Sequence, residues 1–228
     1  ASFGGYGSNV QVVDVNGPRR VQYSGTDPIQ FEAYRYDLND FVKLYSEDFG
    51  RGYSLPRITL PDPSENRLVA SWNSTDDEIG GIRETIIPPQ IEPGLYVLNM
   101  KHDGRSYSQL FLILSRNTVM AKIYGDQIFV WVTDINGDAI SNAEIRLYSS
   151  RGEKIREGKT DEQGLYQGLV PTGYQPMLVT ARVGGTENTD VAVTGLTNGW
   201  DSYDGWVQYN DDPAKYLVYT YTDRPIYK

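Results

Sequence analysis

The chain has 228 residues, 39% of them hydrophobic and 22% charged, with a net charge of −9 and no cysteine. This is a soluble globular composition, long enough for two domains that bury their own cores. The negative charge argues against nucleic acid and anionic membrane surfaces as partners, because no cationic patch is present to release counterions. Without cysteine there is no disulfide framework, thiolate metal site or thiol nucleophile, and the absence points to a bacterial rather than a eukaryotic secreted chain.

Short period-2 runs separated by Gly, Pro, Asn and Asp recur along the chain, and long 3.6-residue periodicity is almost absent. That pattern predicts an all-β fold of sandwich type. Ala1 to Asn9 is Gly/Ser-rich, lacks a charged start and an apolar core, and is not a signal peptide. Strands are expected at Asn9–Val15, Ile29–Asp37, Val42–Glu47, Arg67–Trp72, Leu95–Lys101 and Tyr107–Leu114. Gly50–Glu65 reads as a long loop and Asp76–Gly81 as an acidic one. Asp103-Gly104 marks a tight hairpin turn. Leu110–Leu114 is the longest apolar run and is far too short to span a bilayer.

Strands restart after Ser115-Arg116-Asn117, which reads as a domain boundary. In Gln127–Asp134, Ile128, Val130 and Val132 alternate with Phe129, Trp131 and Thr133. Ala143, Ile145 and Leu147 share one face of the next strand. Turns follow at Ser150–Glu153 and Thr160–Gly164, then strands at Leu165–Val170, Met177–Val183, Val191–Thr194 and Tyr216–Tyr221. That is an immunoglobulin-like count of about seven strands.

Two motifs are more particular. Val130, Asp134, Gly137, Ile140, Ala143, Ile145 and Leu147, followed by Thr160, Asp161, Gly164 and Tyr166, form a pattern that resembles carboxypeptidase-regulatory or transthyretin-like β-sandwich modules. The final Tyr221-Thr222-Asp223-Arg224-Pro225-Ile226-Tyr227-Lys228 resembles the Y-T-D-R-P-I-Y-[KR]-P-G motif of bacterial alpha-2-macroglobulins, where it opens the next macroglobulin domain. Phe31–Asp37 and Pro93–Tyr96 resemble the preceding domain of that family more weakly.

The resemblance implies two tandem antiparallel immunoglobulin-like, macroglobulin-type β-sandwich domains at 1–116 and 117–221. Residues 222–228 would then start a linker or further domain, and the chain is expected to be a piece of a longer protein. It also implies an extracytoplasmic location, whether periplasmic, cell-surface or secreted. The partners implied are neighbouring macroglobulin domains and, through the longer protein, proteases. Members of the family are broad-spectrum protease traps whose thioester lies in a Cys-x-x-Gln-type motif. This chain has no cysteine to form one, so no family active residue carries over, and a non-catalytic structural role is expected.

The residues offer no catalytic, cofactor or metal site of their own. His102 beside Asp103 lacks a Ser or Cys elbow and reads as a solvated turn. Asp76-Asp77-Glu78 and Asp211-Asp212 lack calcium-loop spacing and read as solvated acidic loops. Gly80-Gly81 and Gly184-Gly185 lack the Lys-Ser/Thr of a phosphate loop. Asn73-Ser74-Thr75 matches a glycosylation acceptor, a pattern common by chance. Gly199–Tyr209 is the one stretch with binding character, since Trp200, Tyr203, Trp206 and Tyr209 interleave with Asp201 and Asp204. These rings suit an interface with a neighbouring domain, and alternatively could stack on sugars. The rival readings are therefore a cell-surface adhesin or carbohydrate-binding module, and an accessory domain of a secreted peptidase or glycosidase. Gly50–Glu65 and Gly195–Pro213 are the only segments long enough for a protease bait, and both read as ordinary loops.

Overall fold

A computed structural model describes residues 2–3, 10–17, 19–25, 28–48, 67–74, 78–79, 82–184, 190–198 and 207–209. Among these residues the architecture is all-β apart from a single helix. The N-terminal part runs β1 (Ser2–Phe3), β2 (Val10–Asp14), β3 (Arg20–Ser24), β4 (Gln30–Arg35) and α1 (Leu38–Asp48). It continues through β5 (Leu68–Asn73), β6 (Glu78–Ile79), β7 (Ile82–Ile86), β8 (Gly94–His102) and β9 (Arg105–Ser115). Sheet β1-β3-β7-β6 faces the five-stranded sheet β2-β9-β8-β4-β5. Between them lies a core of Val21, Tyr23, Phe31, Ala33, Tyr96, Leu98, Met100, Leu110, Leu112 and Leu114. The Tyr23 ring meets the Phe31 edge at 5.1 Å, and Trp72 stacks on the other side of Phe31 at 5.7 Å. The hairpin turn between β8 and β9 forms as expected, with Asp103 and Gly104 both at positive φ (48° and 74°).

Four details depart from the sequence reading. Val42–Glu47 is helix, not strand. Leu38, Phe41, Val42 and Tyr45 lie at i, i+3, i+4 and i+7 and pack as one stripe. Asp37 caps the helix, its Oδ1 accepting from the backbone N–H groups of Asn39 at 2.7 Å and Asp40 at 3.2 Å. Strands β3 and β7 were not anticipated, and Glu78–Ile79, inside the expected acidic loop, pairs with β7. Pairing is not wholly antiparallel, because β2 lies parallel to β9. The expected long loop Gly50–Glu65 lies outside the described residues.

The C-terminal part runs β10 (Asn117–Tyr124), β11 (Gln127–Asp134), β12 (Glu144–Ser149), β13 (Lys154–Lys159), β14 (Leu165–Leu169), β15 (Pro176–Arg182), β16 (Val191–Asn198) and β17 (Val207–Tyr209). Sheet β10-β11-β14 packs on sheet β13-β12-β15-β16-β17. Ala121, Ile128, Val130, Val132, Ala143, Ile145, Leu147, Val179 and Ala181 fill the space between them. Among the described residues the two sheets hold eight strands, β10 to β17. Lys154–Lys159 supplies one that was not anticipated, while the expected strand Tyr216–Tyr221 lies outside the described residues. β17 falls within the stretch read as loop and pairs parallel with β16.

The motif residues act as turn and packing devices. Asp134 Oδ1 accepts from the N–H groups of Asn136 (2.8 Å) and Asp138 (2.9 Å). The bond from Asp138, then those from Asn136 and Gly137, hold its carboxyl below the usual aspartate range. Asp161 Oδ1 likewise accepts from the N–H groups of Gln163 (2.9 Å) and Leu165 (2.8 Å). Gly164 (φ 71°) sits where an added Cβ would come 2.5 Å from the Val132 carbonyl oxygen, so no other residue fits. The buried Thr160 hydroxyl accepts from Ala143 N–H at 2.9 Å and donates to the Ile140 carbonyl at 2.6 Å.

Candidate interdomain interface

Two surfaces in the described residues have the composition of contact surfaces. The first is already covered. On β8 and β9, Leu95, Val97, Phe111 and Ile113 point away from the N-terminal core. They form a second buried cluster with Leu38, Phe41 and Val42 of α1 and with Tyr148, Met177, Leu178 and Val191 of the C-terminal sandwich. α1 therefore lines a seam between the two sandwiches. Phe41 meets Phe111 edge-on at 4.8 Å, and Tyr36 meets Phe111 at 5.1 Å. Burial pushes the Tyr45 hydroxyl up to about 12.

Farther along the seam-side face of the N-terminal five-stranded sheet, the apolar contact gives way to a polar network around Glu32. Its carboxylate accepts from Lys101 Nζ (2.8 Å), the Tyr34 hydroxyl (2.8 Å) and Asn99 Nδ2 (3.3 Å). Burial alone would raise the Glu32 pKa, but these three donors outweigh it and hold the carboxyl below its usual value. Tyr34 is pushed up to about 12 by burial and by the bond to Glu32. Each polar group has a partner, so the cluster acts as a structural ion pair.

The second surface is the outward face of β10-β11-β14. Register places Trp131 between Met120 and Leu165, Phe129 between Lys122 and Gln167, and Gln127 between Tyr124 and Leu169. Tyr124 is 66% exposed, Met120 51%, Leu169 50% and Trp131 38%, far above what an outward strand face ordinarily shows for apolar residues. The Phe129 and Trp131 rings stack at 6.2 Å. The grid contains no carboxylate in a chain of net charge −9. Aromatic and Met enrichment with few charges is the make-up of an interface core. The sequence carried the signal, since Phe129 and Trp131 alternate with Ile128, Val130 and Val132, but alternation alone does not mark the outer face as a contact surface.

Of the residues singled out earlier, His102 donates from Nδ1–H to the Pro28 carbonyl (2.8 Å), and its ring meets Tyr107 edge-on. Its Nε2 stands 3.5 Å from Asp103, and no nucleophile joins the pair. Trp200, Tyr203 and Trp206 lie outside the described residues, as do Asp76, Asp77, Asp211 and Asp212. Tyr209 is placed only as the backbone end of β17. No group of three or more His, Cys, Asp or Glu able to hold a metal occurs among the described residues. No helix among them is long and apolar enough to cross a membrane.

Residues 114–210 match the bacterial alpha-2-macroglobulin MG3 domain. The C-terminal sandwich thus resembles the bacterial macroglobulin domain in sequence. In fold, 86% of the chain resembles a crystal structure of native Escherichia coli alpha-2-macroglobulin spanning domains NIE-MG1 (TM-score 0.61, 18% identity, 95% of that chain). A longer E. coli crystal structure spanning MG0-NIE-MG1 gives 0.59 at 18% identity, over 86% of this chain and 63% of that one. A Salmonella alpha-2-macroglobulin gives 0.54 at 16% identity, over 84% of this chain and 12% of that one. The chain therefore spans under two thirds of the longer relatives. The sequence match and the structural matches carry different domain labels, and what they share is the macroglobulin sandwich. Comparison with curated protein sequences returned no match.

Proposed function

We propose that the chain supplies two non-catalytic structural domains, 1–116 and 117–221, with 222–228 leading onward, to a bacterial alpha-2-macroglobulin-like protease inhibitor that works outside the cytoplasm. The match of residues 114–210 to a bacterial macroglobulin domain carries this reading. In it, the outward face bearing Met120, Trp131 and Tyr124 and the aromatic stretch Trp200, Tyr203, Trp206 and Tyr209 seat neighbouring domains of the same polypeptide. Size supports a tethered neighbour. Three strands of eight residues or fewer cover roughly 300 Å² at ordinary strand dimensions. A free-standing partner needs about 800 Å² per side, whereas tethering raises the effective concentration of a small contact.

The presence on one face of exposed Trp131 and Tyr124 and of the hydrogen-bonded Gln127 and Gln167 amides favours a second reading as a carbohydrate-binding face. One experiment separates the two. The longer polypeptide is incubated with proteases of different specificity, and cleavage of a large protein and of a small peptide is followed. The inhibitor reading expects loss on the large substrate alone, with the 228-residue chain by itself changing neither rate. No size-selective loss by the longer polypeptide removes that reading. Retention on insoluble polysaccharide that is abolished by Trp131→Ala would put the carbohydrate reading in its place.

A further inference from the structure

Among the described residues the polypeptide passes from one sandwich to the other once, at Arg116, between the end of β9 and the start of β10. A one-residue crossing between two rigid bodies is a natural hinge, because a few terminal φ/ψ angles absorb the rotation. Here it is held. Asp190, at the head of β16, places Oδ1 2.9 Å from the Ser115 hydroxyl and 2.9 Å from the Arg116 N–H. Its Oδ2 lies 3.4 Å from the Arg116 guanidinium. The Ser115 oxygen in turn accepts from Asn117 N–H at 3.0 Å. All three residues of the crossing are thereby tied, directly or through Ser115, to one carboxylate.

Asp190 is buried and adopts φ 48°, a left-handed conformation unfavourable for a residue with a Cβ. Such strain persists only where the surroundings over-determine it. A second point of fixation lies at the turn between β12 and β13. An added Cβ on Gly152 would stand 2.8 Å from Ser46 Oγ of α1, so turn and helix touch without a gap. Between the two points runs the apolar seam of Tyr148, Leu178 and Val191 against Phe41, Phe111 and Ile113.

We propose that Asp190 is a latch that fixes the angle between the two sandwiches, so that the chain moves as one rigid arm and passes a displacement at one end to the other undiminished. The inference rests on the crossing's geometry and stands whether or not the longer protein inhibits proteases. The test is a distance measurement. The chain has no cysteine, so spin labels attach only at introduced ones, here Arg105→Cys on the N-terminal hairpin and Glu162→Cys on a C-terminal turn, both exposed. Double electron–electron resonance on the otherwise native chain should give a single narrow distance peak. Asp190→Gly relieves the φ strain while deleting the latch, and should broaden or shift that peak. A native distribution that is already broad overturns the proposal. So does an Asp190→Gly distribution as narrow and as centred as the native one. If Asp190→Gly does not fold, Ser115→Ala decides on the same criteria, since it cuts the carboxylate from the end of β9 and from Asn117 while leaving residue 190 unchanged.

Discussion

Phe41 is the side chain on which the seam most directly depends. It is 1% exposed on α1 and presses edge-on into Phe111 at 4.8 Å, with Tyr45 at 5.7 Å. Truncation to alanine removes a full aromatic ring from a site whose floor, the β8–β9 sheet, cannot collapse to fill the space. Buried Phe→Ala changes cost about 3–5 kcal/mol, and the edge-to-face contact accounts for about 0.5–1.5 kcal/mol of that. For a chain of this size each kcal/mol lowers the melting temperature by about 2–4 °C, so Phe41→Ala should melt roughly 6–20 °C earlier. Urea unfolding followed by far-ultraviolet circular dichroism measures the loss directly. Tyr124→Ala, on a side chain 66% exposed, is the control and should stay within about 0.5 kcal/mol. A Phe41→Ala loss below about 1 kcal/mol, or an equal loss from Tyr124→Ala, would show that the helix does not seal the seam.

Thr160→Val keeps the shape of a buried side chain but strands the Ala143 N–H and the Ile140 carbonyl, and should cost about 1–3 kcal/mol in the urea midpoint. Glu32 has a folded pKa below its ordinary value of 4.5. Its contribution is therefore present above the unfolded value and lost as pH falls through the folded one. Stability of the native chain should drop more steeply than that of Glu32→Gln as pH is lowered past 4.5, and parallel curves would remove the assignment. Gly152 (φ 77°) and Gly104 (φ 74°) share a backbone conformation, but only Gly152 has a neighbour within reach of an added Cβ. Each alanine substitution should cost about 1–2 kcal/mol for the left-handed backbone. Gly152→Ala should cost at least about 1 kcal/mol more through its clash with α1, as read from paired thermal melts.

The C-terminal sandwich was readable in the sequence because its signals are local. Asp134 and Asp161 set turns within four residues of themselves, and strict alternation separates Ile128, Val130 and Val132 from their neighbours. The helix was misread because Val42–Glu47 also contains alternating apolar residues. Only the inclusion of Leu38 and the Asp37 cap exposes the 3.6-residue stripe. Strand β3 escaped because its exposed face carries Arg20, Gln22 and Ser24, leaving Val21 and Tyr23 as the sole apolar pair. The seam could not have been read, since Phe111, Tyr148 and Val191 are brought together by tertiary packing across distant sequence, and nothing local marks Asp190 as the residue that meets Ser115.

β9 belongs to both cores at once. Leu110, Leu112 and Leu114 face the N-terminal core, while Phe111 and Ile113 face the seam. The parallel strand β2 covers its edge from far upstream and is available early in synthesis. The cover for Phe111 and Ile113 is not, because Tyr148, Met177 and Val191 leave the ribosome only after β9. During that interval the five-residue apolar run Leu110–Leu114 of β9, of high β-propensity, has its seam face shielded only by α1 and the nearby N-terminal side chains Val10 and Tyr36, the condition under which nascent β-proteins self-associate. A polypeptide cut after residue 116 would carry that condition permanently, and its yield in the soluble fraction should fall well below that of the intact pair.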